Sequence, residues 1–127
     1  MKNLVILITE DDLTNYMYLE IILKKVVKRT DHAINGQEAV DLVMQNEYDL
    51  VLMDLNMPVM DGYEATKQIK QRFPDLPIIV QTAHVLLEEQ DMAFKAGCDD
   101  LIAKPINKFA LLNKINEQMS KKKTEDW

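Results

Sequence analysis

The chain has 127 residues, with fifteen Lys and Arg against twenty-one Asp and Glu, a formal net charge of −6. A length in the range of one domain, 47% hydrophobic residues and a longest apolar run of five, Leu4 to Ile8, exclude a wholly disordered chain and leave no segment near the roughly twenty residues of a membrane span or the pattern of a secretory signal. The acidic balance argues against a nucleic-acid phosphate surface, and one cysteine, Cys98, excludes an internal disulfide and a cysteine-rich zinc site, which points to a reducing cytoplasm.

Leu4–Thr9 reads as a buried strand, followed by Glu10-Asp11-Asp12. Asp12 stands where a helix cap stands, ahead of Leu19, Ile22, Leu23 and Val26 at i, i+3, i+4 and i+7. Arg29–Ile34 is more polar and reads as an edge strand. Gln37–Asn46 is a helix carrying Ala39, Val40, Val43 and Met44, and Tyr48–Met53 is a second buried strand running into Asp54. Tyr63–Phe73 is a helix that starts after Gly62 and is ended by Pro74. Pro77–Thr82 is a strand, and Val85–Ala96 a helix stopped by Gly97. Leu101–Ala103 is a short last strand before Lys104. Asn107 caps a final helix with Leu112, Ile115 and Met119 on its inner face, and Lys121–Trp127 is a polar C-terminal tail.

Five strand-then-helix repeats imply an α/β three-layer sandwich with a parallel sheet and right-handed crossovers. In such sheets ligands bind beyond the carboxyl ends of the strands. The groups found there are Glu10-Asp11-Asp12, Asp54, Thr82 and Lys104, whereas the edge strand ends in Ala33-Ile34 and offers nothing. If the strands carrying Glu10-Asp11 and Asp54 are neighbours, the order is 2-1-3-4-5, already known from flavodoxin-like folds. Carboxylates crowded into one cleft repel one another unless a cation intervenes, and Mg²⁺ takes carboxylate oxygens readily. Zinc is disfavoured, since His32 and His84 lie on different elements. A carboxylate can also attack phosphorus to form an aspartyl-phosphate, and Thr82 and Lys104 are the hydroxyl and the cation that phosphoryl oxygens need.

The residues resemble the receiver domain of two-component response regulators (the CheY-like family) from about Leu4 to Met119. The likeness is carried by Glu10-Asp11, by Asp54 to Gly62 with its Met57-Pro58-Val59-Met60-Asp61-Gly62 stretch, by Thr82-Ala83 and by Lys104-Pro105. It implies a flavodoxin-like sandwich of five parallel strands and five helices, with residues 1–120 as receiver domain. It makes Asp54 the phospho-acceptor, with Lys104 pairing the phosphoryl group and Thr82 bonding it. Asp11 and Asp54 would ligate Mg²⁺ directly, Glu10 would act directly or through water, and the backbone carbonyl of Asn56 would add an oxygen, with Mn²⁺ as a substitute; the Lys104–Pro105 bond would be cis. The phosphodonor would be a histidine kinase or a histidine phosphotransfer protein. The output would pass to a downstream protein through the face of the fourth helix, fifth strand and fifth helix. No nucleic acid or membrane is expected as partner. The chain would catalyse only its own phosphorylation and dephosphorylation, and is expected to be a stand-alone cytoplasmic regulator, the alternative being a receiver excised from a hybrid histidine kinase. Leu101 stands where many receivers have Tyr or Phe. His84 and Asn56 would guard the attacking water, and at least one of Val85, Leu86 and Leu87 should be exposed. A haloacid-dehalogenase-type phosphatase would need an aspartate where Asn56 stands, and an electron-carrying flavodoxin would need a phosphate-binding loop where Glu10-Asp11-Asp12-Leu13 stands.

Overall fold

The computed structural model describes residues 1–83 and 86–125, with side chains up to residue 121. His84, Val85 and Trp127, each singled out above, lie outside the described residues. Five strands, β1 (Val5–Thr9), β2 (Arg29–Ala33), β3 (Leu50–Asp54), β4 (Ile78–Thr82) and β5 (Asp100–Ala103), alternate with five helices. The helices are α1 (Leu13–Leu23), α2 (Gly36–Gln45), α3 (Gly62–Arg72), α4 (Leu87–Ala96) and α5 (Lys108–Glu125). All pairings are parallel and the sheet order is β2-β1-β3-β4-β5, as expected.

The continuous apolar strands are buried because helices cover both faces of the sheet. Alternate residues feed two cores. Leu7, Val51, Met53, Ile78 and Val80 pack with Ala39, Val40 and Val43 of α2, Ala65 and Ile69 of α3 and Ala93 of α4. Ile6, Ile8, Leu50, Leu52 and Ile79 pack with Leu19, Ile22 and Leu23 of α1 and Leu111 and Ile115 of α5. Each fully buried Leu or Ile contributes about 2 kcal/mol relative to exposure, so these layers hold the sheet edge where the polar residues gather.

Helix starts are fixed by side-chain caps. Asp12 accepts from Thr14 N at 2.9 Å, Asn35 from Glu38 N at 2.8 Å, Asp61 from Glu64 N at 2.9 Å and Asn107 from Ala110 N at 3.0 Å. Gly97, at φ 111°, ends α4 in the left-handed conformation that glycine adopts without a Cβ clash. The Lys104–Pro105 peptide is cis.

Three local expectations differ. Met44 is 44% exposed, because the α2 face against the sheet is filled by Ala39, Val40 and Val43. Val26 packs on the core but lies past the end of α1. The stretch read as a tail from Lys121 continues α5 as helix to Glu125; its Lys-rich composition looks tail-like, yet nothing in it breaks a helix.

Candidate functional site

Parallel strands turn their carboxyl ends to one edge. β1 and β3 are adjacent, with Thr9 opposite Met53, so the residues after β1 arrive beside Asp54 at the end of β3. One carboxylate oxygen from each of Glu10, Asp11 and Asp54 lies within 4.8 Å of the others. Glu10 is fully buried and Asp54 only 4% exposed, while Asp11 faces solvent. Lys104, delivered by β5, places Nζ 3.2 Å from Glu10 Oε1 and 3.2 Å from Asp54 Oδ1. The Asn56 backbone N–H donates to Asp54 Oδ1 at 3.4 Å. Thr82 is buried at the end of β4, one residue beyond the Gln81–Asp54 pairing, and its carbonyl accepts from Lys104 N at 2.8 Å. Glu10, Asp11 and Asp54 are therefore gathered in one cluster, Lys104 reaches two of them, and Thr82 and Asn56 flank the group.

The loop after β3 folds back tightly. Gly62 N donates to Leu55 O at 3.0 Å, and a Cβ on Gly62 would lie 2.2 Å from the Asp54 carbonyl oxygen. Only glycine lets α3 start this close to the strand that carries Asp54.

Charge in this site is unbalanced. Burial, then the neighbouring Asp54 carboxylate, pushes the Glu10 carboxyl up to about 7, against the pull of Asn15 and Lys104. Burial also opposes the charge of Lys104, but the carboxylates of Asp54 and Glu10 outweigh it and hold the ammonium above its usual value. Glu10 Oε2 is buried without a hydrogen-bond donor among the described residues. An all-carboxylate set with one such oxygen fits a hard divalent cation such as Mg²⁺, and the cluster contains neither His nor Cys for zinc.

The Glu10 shift has a measurable consequence. Between its ordinary 4.5 and about 7 the folded state holds a proton that the unfolded state has lost. Its contribution to stability is therefore present below pH 4.5 and lost as pH rises through 7. In EDTA, wild type is expected to lose on the order of 2 kcal/mol more stability than Glu10→Gln between pH 4.5 and 7.5. Denaturant curves at both pH values check this, and parallel pH dependences would show that Glu10 ionises normally.

Four residues near the site escape sequence reasoning. Asn15 Nδ2 donates to Glu10 Oε1 and to Gln81 Oε1, the latter at 3.2 Å. His32 on β2 places Nε2 2.7 Å from the Glu10 carbonyl oxygen, and its ring stacks on Tyr16 with centroids 3.6 Å apart. The expectation that β2 offers nothing is thus corrected: its last residues are apolar, but the side chain one register position earlier reaches across to the loop after β1. A polar Gln81 in the apolar run Ile78–Val80 is the one signal that could have been noticed.

The sequence model described as response regulator receiver domain matches residues 6–116. Two-component system protein A of Emericella nidulans is 37% identical over 110 residues, covering 84% of this chain and 16% of that protein. The chain thus spans about a sixth of the length of such curated relatives. Among solved structures, a CheY-like response regulator receiver domain protein of Methanospirillum hungatei superposes with a TM-score of 0.92 at 27% identity, covering 98% of this chain and 99% of that one. The receiver domain of the sensor histidine kinase PA1611 of Pseudomonas aeruginosa, with a magnesium ion coordinated in its active site cleft, gives 0.86 at 30% identity, covering 93% and 98%. The receiver domain of Saccharomyces cerevisiae Ssk1, in complex with the histidine phosphotransfer protein Ypd1, gives 0.84 at 32% identity, covering 92% and 89%.

Proposed function

The chain belongs to the response regulator receiver domain family, and on that premise we propose that Asp54 accepts a phosphoryl group from the phosphohistidine of a histidine kinase or histidine phosphotransfer protein. The observation that carries this reading is the Lys104 ammonium 3.2 Å from Asp54 Oδ1 inside a buried acid cluster.

A carboxylate oxygen of Asp54 attacks phosphorus, the bond from phosphorus to the imidazole nitrogen breaks, and the imidazole leaves with the electron pair. Lys104, already in ion-pair range of Asp54, meets the negative charge of the incoming phosphoryl oxygens. The Thr82 hydroxyl donates to another of those oxygens. Glu10, Asp11, Asp54 and the Asn56 carbonyl would hold Mg²⁺, or Mn²⁺ in its place, and the bound ion would offset carboxylate charge and draw on the phosphoryl oxygens. The chain acts only on its own aspartate, so it is a switched binding module and not an enzyme with a separate substrate.

Readout is assigned to the face of α4, β5 and α5. Leu86 and Leu87, adjacent in the chain at the start of α4, are 61% and 73% exposed, an apolar pair that a partner on this face would cover. A shift of Thr82 toward the phosphoryl group would move the segment leading into α4. With Leu101 in place of an aromatic ring, that movement needs no ring rotation. The reaction belongs to the cytoplasm, where the one thiol, Cys98, stays reduced; burial pushes its pKa up to about 12. The receiver role is assigned to residues 1–120 whatever longer chain surrounds such domains in the relatives.

Wild-type protein mixed with acetyl phosphate is expected to gain one phosphoryl group in Mg²⁺ or Mn²⁺ and none in EDTA, read by intact mass. Equal uptake in EDTA would remove the metal from the proposal. No uptake from acetyl phosphate or from a panel of phosphorylated phosphotransfer proteins would end it.

A further inference from the structure

The two carboxylate oxygens of Glu10 have different surroundings. Oε1 is held by Lys104 Nζ and by the side-chain amide of Asn15. Oε2 is buried and has no donor among the described residues. Asn15 sits early in α1 and its Nδ2 also donates to Gln81 Oε1 at 3.2 Å. Gln81 is 1% exposed and pairs in register with Asp54.

An amide nitrogen carries two hydrogens, and here Glu10 and Gln81 are acceptors for both. Were the Asn15 amide turned over, its oxygen would face two acceptors. The carboxylate sets which end of Asn15 meets it, and Gln81, by taking the second hydrogen, holds the Asn15 side chain in the rotamer that reaches Glu10. The arrangement has a cost, because Gln81 Nε2 is buried with no acceptor among the described residues, and an apolar residue would suit this strand better. A buried glutamine that weakens the core is explained if its link to Asn15 matters for the site.

We infer that Asn15, oriented by Gln81, is a positioning residue that holds Glu10 by Oε1 and leaves Oε2 for the divalent cation. This rests on the phosphoryl-acceptor reading of the site. In that reading Lys104 is drawn from Glu10 to the phosphoryl group on Asp54. Asn15 is then the donor that keeps Glu10 in place, so that the two donors on one oxygen are a working one and a standing one.

The test is a Mg²⁺ titration of the full chain, followed by melting temperature and amide chemical shifts, for wild type, Asn15→Ala, Gln81→Leu and the double variant. Asn15→Ala is expected to weaken Mg²⁺ binding about tenfold, the usual scale for a residue that holds a metal ligand. Gln81→Leu should cause a smaller loss. The double variant should be no weaker than Asn15→Ala, because Gln81 acts through Asn15. A merely structural role would lower the metal-free melting temperature and leave Mg²⁺ affinity alone. Asn15 is half-buried on α1 and alanine favours helix, so the fold should persist; Asn15→Leu, with the same branching and heavy-atom count but no donor, is the second variant with the same expected loss. Unchanged Mg²⁺ affinity in both Asn15 variants, in a protein whose wild type binds Mg²⁺ and is phosphorylated, overturns the inference and leaves the phosphoryl-acceptor reading standing. Wild type that takes up no phosphoryl group overturns that reading instead, and the Mg²⁺ titration still decides the role of Asn15.

Discussion

An Asp54→Asn protein is expected to take up no phosphoryl group from acetyl phosphate or a phosphorylated phosphotransfer protein, at any Mg²⁺ concentration. The amide oxygen of asparagine carries too little charge to attack phosphorus, so the proposed nucleophile is lost while the shape is kept. Neither remaining carboxylate can take over. Glu10 is fully buried with Oε1 already held by Lys104 and Asn15. Asp11 is open to solvent, but the Lys104 ion pairs go to Glu10 and Asp54. Asparagine can still accept a hydrogen bond from Lys104 through its oxygen, so the variant should fold. The check is intact mass with peptide mapping, alongside a melting curve showing cooperative unfolding. Undiminished single-site labelling in the variant would move the nucleophile elsewhere and sink the assignment of Asp54.

Lys104→Met is expected to cause the largest loss of stability among the site substitutions, about 3 kcal/mol in EDTA at pH 7.5. Its ammonium is the cation shared by two buried carboxylates. Removing one partner of a buried pair typically costs about 3–5 kcal/mol, because the other is left uncompensated. The low end applies because the Lys104 side chain is 24% exposed and Glu10, with its carboxyl near 7, can take up a proton instead. In a domain of this size the melting temperature should fall by roughly 10 °C. The deficit should shrink at pH 5, where Glu10 is neutral, and again in millimolar Mg²⁺, which supplies the missing positive charge. Calorimetry under the three conditions checks it. Equal melting of variant and wild type in EDTA at pH 7.5 would mean that the lysine does not neutralise these acids. Phosphoryl uptake should slow by about 10²–10³-fold, the scale for losing one donor to a developing charge.

Much of this was legible in residue order. Apolar runs at Leu4–Thr9, Tyr48–Met53 and Pro77–Thr82 lie within a residue or two of the strands, since a strand covered on both faces admits few polar residues. Caps at Asp12 and Asn107 and the stop at Gly97 fell where expected, because they depend on contacts within a few residues. Met44 did not, because exposure of a helix face depends on what the rest of the chain leaves uncovered, and the polar stretch from Lys121 continues α5 because no residue in it breaks a helix. His84 and Val85, which the sequence marked for control and output, lie outside the described residues. Leu86 and Leu87, also marked for output, are exposed.

By itself the sequence determined which chemistry sits at the sheet edge. Each polar group that ends an apolar run must emerge at the carboxyl end of its strand, and parallel pairing sends all those ends the same way. Only the tertiary structure decided how those groups are divided. It buried Glu10 and Asp54 and left Asp11 in water, a division that two adjacent acids in a chain do not reveal. It also set Asn15 between Glu10 and a glutamine 66 residues away, and brought His32 from the edge strand onto the Glu10 carbonyl. Such contacts carry no local signature, because a side chain's hydrogen-bond partner is chosen by the packing of distant segments and not by its neighbours in the chain.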